Sequence, residues 1–322
     1  MNSSRSSGGK TVKTDRRGYF RQIPIYLGKF FRMFVYMDDW KMVPMAALIA
    51  GLVSFAVGKD LFVSMEGTLK GSLALTCVCI WNGFFNSIQS VCRERQIVKR
   101  EHRAGMKITS YITAHMIYQA FLCLMQALIT LAVCRITKIH MPSSGLITPF
   151  FYVDITIAFF LITFSADMTS LLISCMARNT TAAMTVMPFI LIFELLFSGG
   201  VFALTPTTEV ISYFTIAKWG MCAICALGGY NSLPMTSIWK QISKLQDYEY
   251  EGMQPVRLLV ETMERENRVD EFCLKTAASN FNPDYVSTSS NLAGCWLILL
   301  IFVLVFALLS MLALTGIDSD RR

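Results

Sequence analysis

Histidine is nearly missing. The 322 residues hold three, His102, His115 and His140, scattered along the chain. A membrane-embedded enzyme gathers His, Asp or Ser at one depth, and these positions gather nothing. Charge is scarce as well. Only 16% of residues are charged against 54% hydrophobic, and mean hydropathy is +0.49. That balance excludes an ordinary soluble domain and places the chain with polytopic membrane proteins. Cysteine pairs that could hold a metal are incomplete. Cys77/Cys79 and Cys222/Cys225 have no His or second pair nearby in sequence. No metal site is expected, and these cysteines read as small packing residues. Cys273 alone lies clearly outside the apolar runs of the later chain, so no disulfide is expected in its segment.

Other signals are absent too. Gly9-Lys10-Thr11 has the ending of a phosphate-binding loop, but the glycine required at position 4 is Ser4 and no strand precedes it. No secretory leader is read, because the first apolar run starts late and lacks a small-residue cleavage site. No inverted or tandem repeat is visible, which counts against a secondary carrier. The formal charge of +7 sits in tails and turns. It points to anionic lipid headgroups and not to nucleic acid.

What is present is a series of apolar runs. The expected fold is all-α and polytopic, with six transmembrane helices at about 42–63, 68–91, 108–133, 147–176, 182–203 and 292–314. Residues 1–18 read as a disordered tail. Residues 19–39 mix Phe20, Ile23, Leu27, Phe30, Phe31 and Phe34 with Arg21, Lys29 and Arg32, and predict an amphipathic helix in the headgroup plane. The transmembrane domain fills 40–322. Residues 228–290 form the one sizeable hydrophilic insert, expected on the outer side with short surface helices. The basic N-terminus, a basic first turn, Arg178 and Arg321-Arg322 put both termini in the cytoplasm.

The most charged window is 93–107, RERQIVKREHRAGMK, set directly between two apolar runs. Arg93, Arg95, Lys99, Arg100, Arg103 and Lys107 face only Glu94 and Glu101. As a helix it groups Ile97, Val98 and Ala104 as an apolar patch among charges. Charge alone favours an ordinary basic cytoplasmic loop that only sets topology.

Polar residues inside the runs are the other anomaly. Asn82, Asn86 and Gln89 share a face of span two, and His115 and Gln119 share a face of span three. Such groups point at protein or at a water-filled path. They either hold helices together or line an inner vestibule, and a lone membrane histidine reads as a packing group. Span four carries Asp154 and Asp167, and span five carries Glu194 beyond a kinking Pro188. Asp154 is expected near the outer interface. Asp167 is expected to make a structural ion pair with Arg178 or the basic turn.

The order Glu94-Arg95, Arg100-Glu101, Gly105 and Tyr111 resembles the turn after the second span of type-2 ABC exporter permeases, and is most similar to the G-subfamily (white-type) half transporters. Pro188 in mid span five, Phe197-Ser198-Gly199-Gly200 at its end, Pro206, and then Tyr213-Phe214 and Lys218-Trp219 are similar to the same subfamily. The resemblance implies a connecting helix before span one and a re-entrant helix after span five. It also implies a coupling turn that docks on an ATP-hydrolysing subunit through Glu94, Arg95, Ile97, Val98, Arg100, Glu101 and Gly105. Two leucines form a plug after the Ser-Gly pair of that subfamily; here Gly200 and Val201 stand there, which implies a wider gate. The expected partners are a separate nucleotide-binding subunit, a second permease chain and membrane lipids. The chain itself needs no cofactor, and ATP and Mg belong to the partner.

The leading expectation is therefore the permease subunit of an ATP-driven exporter, dimeric, without an ATPase domain of its own. Its substrate is expected to be lipid-like, amphipathic or a peptide. Candidate pathway residues are Asn82, Phe85, Asn86, Gln89, Glu194, Gly200 and Val201. The alternative is an ion-coupled carrier or channel using Glu194 and the span-four acids. Lack of an attached ATPase and of disulfide pairing points to a bacterial plasma membrane.

Overall fold

The computed structural model describes residues 18–36, 39–202, 205–247, 249 and 255–316. The expected N-terminal tail lies outside the described residues except for Gly18, as do Arg321 and Arg322. Among the described residues every regular element is helical, with no strand. In chain order the α-helices are α1 (Tyr19–Tyr36), α2 (Met42–Val57), α3 (Met65–Ser87), α4 (Ser90–Arg93), α5 (Arg95–Arg103), α6 (Ile108–Ile136) and α7 (Phe151–Met176). They continue as α8 (Thr180–Leu196), α9 (Pro206–Ser212), α10 (Ile216–Leu227), α11 (Ser237–Lys244), α12 (Pro255–Arg265), α13 (Val269–Ser279) and α14 (Ser289–Thr315).

Four stretches are long and apolar enough to cross a bilayer: Met65–Arg93, Ile108–Ile136, Phe151–Met176 and Ser289–Thr315. Helices α9 and α10 meet at 89°, as a broken span or a re-entrant loop does. Taken as one span they make a fifth. Helices α2 and α8 are apolar but have 16 and 17 residues. At 1.5 Å per residue they reach about 24–26 Å, against roughly 30 Å of hydrocarbon.

Several boundaries depart from the apolar runs, each for a local reason. Helix α2 stops at Val57 because Gly58 takes φ +71° and the chain folds back. Ser64 then caps α3 by accepting from Gly67 N at 3.2 Å. Span two is not one helix to residue 91. The chain breaks after Ser87, and Ser174 Oγ of α7 accepts from Val91 N and Cys92 N at 3.0 and 3.1 Å to start α4. Helix α7 starts at Phe151, not 147, because Pro149 disfavours helix before it and residues 145–148 wrap a carboxylate.

The bundle is built on α3 and α7. At Gly83 a Cβ would lie 2.2 Å from the Thr163 carbonyl, so the two backbones touch. Helix α14 packs on α7, and α10 is wedged among α3, α7 and α14. Helix α6 carries α1 and α2 on its outer side. Phe30 of α1, Val98 of α5, and Tyr111 and Ile112 of α6 share one buried cluster. At the opposite end the insert is tied down. Glu66 of α3 accepts from Ser237 N at 2.9 Å, and Asn231 and Asn282 exchange hydrogen bonds of 2.8 and 3.0 Å.

Candidate functional site

Helix α5 is nine residues long and ends on Gly105. Met106 N donates to Glu101 O and Gly105 N to His102 O, both at 3.0 Å. These are the two hydrogen bonds of a glycine-terminated helix, and Gly105 at φ +109° supplies the left-handed residue they need. Arg95 reaches back to α7. Its guanidinium donates to Cys175 O at 2.8 Å and Ala177 O at 3.1 Å, carbonyls that α7 leaves unpaired at its C-terminus.

Helix α1 straps this elbow. Lys29 Nζ sits 3.2 Å from Glu94 Oε2 and 3.1 Å from Glu101 Oε1. Gln22 accepts from Lys107 N at 2.9 Å and donates to Gly105 O at 3.3 Å. Tyr19 meets Thr113 Oγ1 at 2.9 Å. Burial, with the charge of Glu101 beside it, pushes the Tyr26 hydroxyl up to about 12, so it stays a neutral donor.

The strap divides α5 into two faces. Glu94, Val98 and Glu101 point toward α1 and α6. Gln96, Ile97, Arg100, Arg103 and Ala104 are exposed, together with the preceding Arg93. The expected patch of Ile97, Val98 and Ala104 is therefore split. Successive residues turn by about 100°, so Val98 at 0% exposure enters the core while Ile97 at 39% looks out with Ala104.

Just inside α5 lies a cavity of about 360 Å³ bounded by α1, α2, α3 and α6. Asn82, Phe85, Asn86 and Gln89 line it, joined by His115, Gln119 and Gln126. Asn86 and Gln126 exchange two hydrogen bonds of 2.9 Å across α3 and α6. Ser87 Oγ accepts from Gln119 Nε2 at 2.8 Å and lies 3.2 Å from His115 Nε2. The polar face thus does both things its residues allow. It bonds two helices and walls a cavity.

The remaining pathway candidates lie at the other end. Glu194 is buried and accepts from Ala217 N at 2.9 Å, which places it on the N-terminus of α10. Gly200 packs against Met221 and Leu73, and Val201 is exposed. Lys218 pairs with Asp284 at 3.1 Å and lies 4.1 Å from the Tyr213 ring centroid. A second cavity of about 890 Å³ opens here, with Glu66, Lys70, Gly199 and Glu209 in its wall.

The two acids of α7 behave differently from expectation and from each other. Asp154 is buried and accepts from Leu146 N, Ile147 N and Thr148 N at 2.8, 2.9 and 3.1 Å. Asp167 makes no ion pair with Arg178 or the basic turn. Among the described residues neither of its oxygens has a hydrogen-bond partner. The basic residues of the turn point outward or onto α7 carbonyls, and the acid is sealed against α3. Sequence reading missed Lys29, Gln22 and Gln126 as members of these sites. The available signal was Gln126 seven residues, two turns, beyond Gln119. Among the described residues no group of three or more His, Cys, Asp or Glu could hold a metal ion.

A bundle of apolar spanning helices around a polar-walled cavity, with a charged amphipathic helix strapped to its end, is the construction of a membrane permease subunit. The chain belongs to the ABC-2 type transporter family, whose description matches residues 25–227. That family supplies the membrane subunit of ABC transporters and carries no ATPase domain of its own. No curated protein matches the sequence.

Proposed function

We propose that the chain is a six-span exporter permease that works as a dimer and is driven by a separate ATPase subunit docked on α5. It is of the G-subfamily kind, with both termini cytoplasmic in a plasma membrane. The observation that carries the reading is the two-faced α5. One face is locked to α1 and α6, and the other exposes Gln96, Ile97, Arg100 and Arg103, flanked by Arg93 of α4. A helix held this firmly transmits a push instead of bending away from it. Helices α2 and α8 complete the six spans in this reading, shortened by local thinning of the bilayer. Cavities at both ends, of about 360 and 890 Å³, suit access that alternates between the two sides. Asn82, Phe85, Asn86 and Gln89 then receive an amphipathic, lipid-like or peptide substrate on the inner side. Gly200 and Val201 stand at the gate, and Glu194 sets the position of α10.

The reading is tested by purifying the tagged chain from native membranes and assaying ATP hydrolysis in what accompanies it. Wild type should bring down an ATPase. Arg100→Glu should lose it, and Glu101→Ala should keep part of it while uncoupling hydrolysis from transport. A stable chain that brings down no ATPase removes the proposal. The ion-coupled alternative draws no support from Glu194, whose carboxylate is engaged by α10.

A further inference from the structure

Ser87 is a crossing point. A hydroxyl has one proton to give and two lone pairs to fill. Gln119 Nε2 fills one lone pair at 2.8 Å, and His115 Nε2 lies 3.2 Å away. The Asp167 carboxyl is beside the same hydroxyl. Around this point lie unpartnered buried atoms: both Asp167 oxygens, His115 Nδ1 and Gln119 Oε1. All four side chains are buried, and His115 and Gln119 also belong to the cavity wall.

An ionised carboxylate with neither oxygen bonded, sealed inside a bilayer, is a costly state. A proton removes that cost. It also provides the donor that the second lone pair of Ser87 lacks. The titratable groups that face Asp167 are Cys123 of α6 and, through Ser87, His115. The charged groups on the other helices packed against α7 are engaged elsewhere. Glu194 of α8 holds α10, Lys218 of α10 pairs with Asp284, Glu66 of α3 accepts from Ser237 N, Lys70 of α3 lines the second cavity, Arg135 of α6 lies over the Tyr152 ring, and Arg93 of α4 lines the inner cavity. Helix α14 adds only the thiol of Cys295. No cation therefore competes for Asp167 among the described residues.

We propose that Asp167 is a proton-binding site, linked to the cavity by the relay Asp167–Ser87–His115. With Asp167 protonated, its O–H donates to Ser87 Oγ and the Ser87 proton points to His115 Nε2. When the proton leaves, the bond polarity reverses. Asp167 gives its proton to Ser87 Oγ as Ser87 gives its own to His115 Nε2. The proton on His115 Nδ1 is then released to the cavity. One proton leaves the site, and no other bond is made or broken. The proposal rests on the permease reading only for the role of the cavity.

The test uses the full chain in lipid nanodiscs and reads infrared spectra across pH in H2O and D2O, with no ATPase needed. Wild type should show a buried protonated-carboxyl C=O band that shifts in D2O and disappears at alkaline pH. Asp167→Asn should lack that band, and Asp167→Glu should keep it at a shifted frequency. Ser87→Ala should keep the band but slow its exchange with D2O severalfold. A band unchanged in Asp167→Asn, or one that disappears on adding sodium at constant pH, overturns the proton site. Exchange at the wild-type rate in Ser87→Ala overturns the relay. A chain that shows the band but captures no ATPase refutes the permease reading alone.

Discussion

Helix α7 buries two aspartates thirteen residues apart in number and treats them in opposite ways. At one end three backbone N–H groups of residues 146–148 converge on Asp154, and Gly145 leaves room for the carboxylate. At the other end Asp167 faces α3 with both oxygens unpartnered. Burial is the same, so desolvation alone does not distinguish them. The difference is the supply of donors. A loop can turn its N–H groups toward an acid. A helix packed backbone to backbone at Gly83 has already used its own. Asp154 therefore fixes a loop to a span, while Asp167 remains available for a change of state.

The largest effect should come from removing the anchored acid. Hydrogen bonds to a charged group contribute about 1.5–3 kcal/mol each and are not additive, so Asp154→Ala should cost about 3 kcal/mol or more. Thermal unfolding in detergent reads this directly, and an unchanged midpoint would end the claim that α7 is anchored there. Next is the contact that denies Asp167 its donors. Gly83→Ala inserts a Cβ 2.2 Å from Thr163 O, and overpacking of this kind costs about 1–3 kcal/mol. Separation of α3 from α7 should appear as faster amide exchange in both helices.

A smaller effect is expected at the strap. Lys29→Met leaves Glu94 buried without its cation, but Lys29 is partly exposed and solvent screens the pair. The expected loss is about 1 kcal/mol, seen as earlier protease cutting between α1 and α2. Asp167→Asn should change stability by less than about 1 kcal/mol, because the amide N–H can take over the donation to Ser87 Oγ that the protonated carboxyl makes. If it matches Asp154→Ala, the contrast between the two acids fails. The smallest effect marks the baseline for any carboxylate here. Glu271 of the insert is held below its ordinary value by Lys275 and then by Arg268. A depressed carboxyl contributes stability above its unfolded value and loses it as pH falls through the folded one. Acid titration of Lys275→Ala should remove that slight slope below about pH 4.5 and nothing more.

Much of this was readable in the sequence. The apolar runs gave the helical class, the basic turn gave a surface helix, and the polar face of span two led to the cavity. The two aspartates could not be told apart, because both sit in apolar runs. What separates them is a loop wrapped on one and a backbone contact on the other. Lys29 gave no signal either. Its partners Glu94 and Glu101 lie more than sixty positions away, and its own helix reads as an interfacial amphipath. Hydropathy set the start of span four at 147, whereas Pro149 and the loop wrapped on Asp154 delay α7 to Phe151.

Glu194 has a mechanical consequence. The carboxylate that holds the start of α10 belongs to α8, six positions beyond Pro188. Those six residues form a crank arm of about 9 Å. Prolines permit sharp bends, and a bend of about 20° there would swing the end of the arm by roughly 3 Å. The start of α10 must follow, since its N–H is fastened to the crank pin. Angular play at one proline would be converted in this way into sliding of α10 between α3, α7 and α14.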